Sequence, residues 1–188
     1  MAKILSRLTV LNLLLLLTTF GVGLASFLQG GMRDASTSVY PLHLYLGLCS
    51  VFGALAVHCL IFIYFLGTGR WVKEVALAYR LPDQPLPRLT RDLKRRAFPP
   101  ALLAMLVPIA TAAAGAGQGQ GIWPWWVHVT LAAATLLVNA WAFVVEYRCV
   151  RTNAGVIDAV LREVDRIRAE HGLPSNAEAL REGASRAE

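Results

Sequence analysis

Four apolar blocks, almost free of charged residues, limit what this chain can fold into. They cover residues 8–28, 40–67, 98–117 and 125–147. A helix rises about 1.5 Å per residue, so roughly 20 residues cross a hydrocarbon layer of about 30 Å. Backbone in hydrocarbon has no water to bond, and only a helix satisfies its own N–H and C=O groups within one segment. The expectation is an all-α fold: an integral membrane four-helix bundle with cytoplasmic amphipathic helices. Residues 1–149 would form the bundle and 150–188 a C-terminal helix and tail. Composition agrees, with 16% charged residues against about 25% in soluble domains. The first block follows Lys3 and Arg7 and contains Gly23-Leu24-Ala25, a passable leader cleavage pattern. Its apolar run is longer than a leader core, so a retained helix is expected.

The basic residues give the bundle a direction. Lys3 and Arg7 precede block one. The segment 68–97 holds eight more, and Arg148 begins a second basic region that runs to Arg186. Of 18 basic residues, only Arg33 falls in the other two connections. Positive-inside bias therefore predicts that both termini and the 68–97 loop are cytoplasmic. The same placement accounts for the net charge of +6 and argues against nucleic acid as a partner. Aromatic residues fit this frame: Ile122 to Trp126, "IWPWW", begins block four, and Trp71 and Tyr79 follow block two.

Trp71, Val72, Val75, Ala76 and Tyr79 form a stripe of helical period, which predicts that helix two continues past the span. "LPDQPLPRL" then breaks it, and Pro99 and Pro100 suit the first turn of helix three. Pro108 is expected to kink that helix. In the tail, Ile157, Val160, Leu161, Val164 and Ile167 share one face, and Gly172-Leu173-Pro174 ends the helix. That stripe has three possible uses: packing on the 68–97 loop, dimerising, or binding a partner membrane subunit through residues 156–171. Ser175 and Glu178 have capping-box spacing for a last short helix. His171 suits a helix C-terminus. "GAGQGQG", 115–121, reads as a flexible turn. The three cysteines form no C-x-x-C pair and no disulfide framework. "GTGRWV" lacks the third glycine of a nucleotide loop, and neither H-E-x-x-H nor G-x-S-x-G occurs.

Two apolar blocks carry polar stripes. At about 100° per residue, His58 lies roughly 60° from His43 after fifteen residues, with Gly47, Ser50 and Ala54 on the same face. In block four His128, Ala132, Thr135, Asn139, Ala142 and Glu146 share a face. The two helices run in the same direction, and 128 − 43 = 85. That offset also aligns Gly47 with Ala132, Ser50 with Thr135 and Ala54 with Asn139. His43 and His128 are expected at one outer level, facing each other across small residues.

This pattern resembles membrane four-helix b-type cytochromes, over helices two and four only. In that family, histidines about four turns apart on one helix face a pair on another, with glycine beside the porphyrin. The resemblance implies haem b, axial ligands at His43 and His128, room made by Gly47 and Ala132, and electron transfer linked to quinone or a redox complex. His58 matches an inner ligand, but helix four offers Phe143 at that level. Met105 is one substitute ligand. A second role for His58 is a hydrogen-bonded layer with Asn12 and Asn139. Glu146 would pair with a cytoplasmic arginine such as Arg148, or carry protons. A metal without porphyrin would need more ligands, and Cys49 points about 120° away from His43. The contrasting reading is a non-catalytic scaffold or accessory subunit without cofactor, its small polar faces serving only to join helices. A small-solute transporter is a third.

Overall fold

A computed structural model describes residues 2–29 and 39–185 of the chain. Arg33 and the final residues 186–188 lie outside them. The described residues form α1 (Ala2–Leu28), α2 (Val39–Ala78), α3 (Leu86–Gly119), α4 (Trp125–Glu170) and α5 (Asn176–Ser185), with no strand. The first four are each long and apolar enough to cross a membrane. They alternate in direction, and α1 packs on α2 and α4 while α3 packs between α2 and α4. One end of the bundle, here called distal, carries the α1–α2 and α3–α4 connections. The proximal end carries the α2–α3 connection and the extensions of three helices.

Those extensions are longer than the sequence pattern suggests. α4 runs unbroken for 46 residues, through the expected boundary at 149/150. Nothing in "RCVRTNAGV" stops it: there is no proline, and Gly155 alone costs a helix about 1 kcal/mol. α3 starts at Leu86 rather than near Phe98, so Pro99 and Pro100 lie inside it. They remove the helical donors to the carbonyls of Arg95 and Arg96, two residues with exposed side chains. The helix survives because Leu93, Ala97 and Ala101 on its buried face hold it to the bundle. Helix packing, more than local propensity, decides such cases.

The apolar stripe of the α4 extension is used within the chain. Val160 and Val164 of it are buried, beside Val156, in one cluster with Val72 of α2 and Leu93 and Ala97 of α3, while Ile157, Leu161 and Ile167 are half-buried. Of the three uses open to this stripe, packing on the 68–97 segment is the one found. α2 ends on Arg80, whose φ of 52° is left-handed, with the Leu81 N–H bonding Ala76. α4 ends in the same way on Gly172 at φ 68°. Ser175 and Glu178 form the expected capping box, with the Ser175 N–H donating to the Glu178 carboxylate at 2.8 Å. Asn176 then ties α5 back to Asp165 of α4.

Candidate functional site

At the distal end the four helices leave a cavity of about 330 Å³. His43, Gly47, His128 and Ala132 all line it, as the 85-residue offset predicts. The two imidazole rings face each other edge-on, with centroids 6.0 Å apart and planes at 80°.

Each ring is held from behind by a neighbouring helix. His43 Nδ1 lies 3.1 Å from the Thr19 carbonyl of α1, and His128 Nδ1 lies 3.0 Å from the Thr111 carbonyl of α3. A carbonyl only accepts, so each Nδ1 carries the hydrogen and each Nε2 of the neutral ring keeps a lone pair. One turn on from each threonine is a glycine against which the ring rests. A Cβ on Gly23 would come within 2.5 Å of His43 Cε1, and one on Gly115 within 3.0 Å of His128 Cε1. Hydroxyls lock the layer below. Thr19 Oγ1 donates to Leu15 and sits 2.7 Å from Ser50 Oγ; Thr111 Oγ1 donates to Val107 and sits 2.7 Å from Thr135 Oγ1.

The two hairpins thus build the same half-site twice. The offset is 85 between α2 and α4 and 92 between α1 and α3, since 111 − 19 = 115 − 23 = 92. The stripes on helices two and four disclose only half of this. Its other half was present as Thr-x-x-x-Gly at 19–23 and again at 111–115. Gly115 belongs to helix α3, not to a flexible turn.

The donor set suits a metal held by two imidazoles. Two rings joined to one metal through Nε2, at about 2 Å per bond, have centres about 6 Å apart. The Nδ1–H···O=C bonds are the outer partners that fix ligand imidazoles. No third His, Cys, Asp or Glu completes a protein-only metal site among the described residues. Cys49 is exposed. Space beside Gly47 remains open, since a Cβ there would meet nothing closer than 4.0 Å. Ser26 lines the cavity with a buried hydroxyl that has no hydrogen-bond partner among the described residues.

The proximal half is different. His58 is fully buried and both its nitrogens are engaged: Nδ1 with Glu146 Oε1 at 2.6 Å, Nε2 with Asn139 Oδ1 at 3.1 Å. Its ring stacks on Phe143 at 4.8 Å. Neither nitrogen is left for a metal, and Met105 Sδ instead lies 3.9 Å from Cys59. Glu146 does not pair with Arg148; it is wholly buried against His58. The outward expectation failed because Glu146 shares the inward face of Asn139 and Ala142, and that face is closed by α2. Asn12 stays outside the layer, its amide packed on Gly53 with no hydrogen-bond partner among the described residues.

Asn139 also answers a defect in α3. Pro108 has no N–H to give the Ala104 carbonyl, and Asn139 Nδ2 donates to that carbonyl at 3.3 Å, with a second bond to Thr135 O at 3.0 Å. Because Nδ2 is the donor here, Oδ1 accepts from His58.

No protein-family model matches this chain, and no curated protein or solved structure matches it.

Proposed function

We propose that the chain is an integral membrane protein, with both termini cytoplasmic, that holds one b-type haem between His43 and His128 and carries electrons. The observation behind this reading is the pair of facing imidazoles, 6.0 Å apart, each fixed at Nδ1 by a backbone carbonyl. Haem would supply a one-electron redox couple. The chain's own part is to present two Nε2 lone pairs, seat the rings on Gly23 and Gly115, and leave room at Gly47 and Ala132. Membrane placement is supported by outward leucines such as Leu11 (63% exposed) and Leu137 (73%). Orientation is supported by the single basic residue, Arg33, in the two distal connections. Quinone or a partner redox subunit is the proposed class of electron donor or acceptor.

A reduced-minus-oxidised spectrum of protein expressed with ample haem tests this directly. One b-type α-band and a shifted Soret band are expected. His43→Ala and His128→Ala should each abolish them, and His58→Ala should not. A featureless spectrum from folded wild-type protein returns the chain to the scaffold reading.

A further inference from the structure

A second cavity, of about 280 Å³, opens between α2 and α3 at the proximal end. Arg70, Lys73, Arg91 and Lys94 line it. Two of these cations are already engaged. Arg70 Nε donates to Glu74 at 2.8 Å, and Arg91 makes two bonds of 2.7 Å to Asp83. The bonds from Arg91 hold the Asp83 carboxyl below its ordinary range, so this pair stays ionised at neutral pH. Lys73 and Lys94 have no carboxylate within ion-pair distance among the described residues. Lys94 Nζ stands 5.9 Å above the Phe98 ring.

The wall also holds an unused donor. Thr90 is 1% exposed, lines the cavity, and its hydroxyl has no hydrogen-bond partner among the described residues. Thr18, Thr19, Thr68 and Thr111 each bond the carbonyl four residues back, the usual resolution for a helical threonine. Thr90 does not. Gly69 faces it across the helix pair, its missing Cβ 3.9 Å from Thr90 Cγ2. A cavity with two uncompensated ammonium groups and a buried hydroxyl donor is built for an anion with several acceptor oxygens.

We propose that this cavity binds the phosphate of an anionic phospholipid headgroup. Lys73 and Lys94 supply charge, and the Thr90 hydroxyl donates to a phosphate oxygen. The inference rests on the membrane placement proposed above and is independent of haem. A soluble phosphate shares this chemistry. The lipid is favoured because Leu66, in the cavity wall, and Ile63, one turn distal to it on α2, are exposed and offer an apolar track for acyl chains. The cytoplasmic leaflet, where this end would lie, is also rich in anionic lipid.

The test uses full-length protein, delipidated in neutral detergent and reconstituted in nanodiscs of phosphatidylcholine alone, of phosphatidylcholine with phosphatidylglycerol, or of phosphatidylcholine with inorganic phosphate in the buffer. Bound lipid is counted by native mass spectrometry, and melting is followed by circular dichroism. Wild-type protein should retain phosphatidylglycerol and melt higher in its presence. Lys73→Gln/Lys94→Gln should cut retention about tenfold, and Lys73→Arg/Lys94→Arg should restore most of it. Thr90→Val should cut it several-fold. Arg148→Gln/Arg151→Gln removes the same charge from α4, outside the cavity, and should leave retention unchanged. Equal loss in both Gln pairs would mean diffuse surface attraction and overturn the site. Equal stabilisation by inorganic phosphate without phosphatidylglycerol would overturn the lipid assignment. Loss of haem bands with lipid retention intact would sink only the cytochrome reading.

Discussion

His43 and His58 stand on one face of one helix, yet the two halves of the bundle treat them in opposite ways. In the distal half, His43 gives one nitrogen to a carbonyl and keeps the other beside a cavity. In the proximal half, His58 is closed in on both sides by Glu146 and Asn139 and covered by Phe143. The distal half repeats itself across the two hairpins. The proximal half breaks the repeat: at the same 85-residue offset, His58 meets Phe143 and Ala54 meets Asn139. A symmetric pair leaves one nitrogen of each imidazole unused at its centre, whereas the asymmetric layer takes both nitrogens of its imidazole and leaves only Glu146 Oε2 without a partner among the described residues. The first arrangement is suited to binding, the second to holding four helices together.

The largest effect should come from splitting the buried pair. The His58–Glu146 contact shares one hydrogen between Nδ1 and Oε1, so the pair is neutral overall wherever that hydrogen rests. Glu146→Leu leaves the His58 nitrogen buried without its partner, and breaking such a pair from one side costs about 3–5 kcal/mol. The full chain in detergent should show this as a lower denaturation midpoint. His58→Phe/Glu146→Leu, which removes both polar groups, should recover most of the loss. A double variant no better than the single would mean that the pair is not the unit that matters.

Asn139→Leu is next. It strips an acceptor from His58 and a side-chain donor from the Ala104 carbonyl, and should cost about 1–3 kcal/mol. Adding Pro108→Ala gives Ala104 its own helical donor and should return part of that cost. Without any recovery, the repair of the proline gap by Asn139 would be wrong.

The glycines sharpen the distal side of the comparison. Gly23→Ala drives a Cβ to 2.5 Å from the His43 ring, and Gly115→Ala to 3.0 Å from the His128 ring. Overpacking of this kind costs about 1–3 kcal/mol, with Gly23 the worse of the two. Gly47→Ala meets no protein atom closer than 4.0 Å. It should raise the stability of the haem-free protein by up to about 1 kcal/mol, because alanine favours the helix. It should also lower haem content, because it narrows the cavity. Stability and haem content rising together would show that the space at Gly47 serves packing alone.

These contrasts also mark how far the sequence could be read. The four helices, their alternation and the level pairing of His43 with His128 follow from apolar length, the distribution of arginine and lysine, and a 100° turn per residue. The carbonyls of Thr19 and Thr111 do not, because a backbone acceptor has no residue-type signature. Only the repeated Thr-x-x-x-Gly hinted at them. The sequence points Glu146 to a surface partner because a carboxylate near basic residues has an obvious one, and only the packed neighbour on α2 shows the buried one. Pro99 and Pro100 read as a helix start because their favourable first-turn geometry says nothing of the contacts that carry α3 through them. The length of α4 escaped for a related reason: the change from apolar to amphipathic pattern near residue 150 marks a change of surroundings, and the backbone continues through it.

The smallest effect lies farthest from both halves, at the capping box of α5. Glu178 accepts from the Ser175 hydroxyl and backbone N–H, and these bonds hold its carboxyl below the ordinary range. A depressed folded-state value means that the cap is fully present above the unfolded carboxylate value of about 4.3 and is lost as pH falls through the lower folded value. Amide exchange across 176–185 should therefore quicken only in acid, while the buried helices keep their protection. Ser175→Ala should quicken the same amides roughly fivefold at neutral pH, the effect of losing an ordinary N-cap. If the amides of α4 around Val160 and Val164 quickened with them, the Asn176–Asp165 bonds would be joining α5 to the packed extension as one cooperative unit. Exchange confined to α5 is the expected result, because nothing in the buried cluster beneath it depends on the cap.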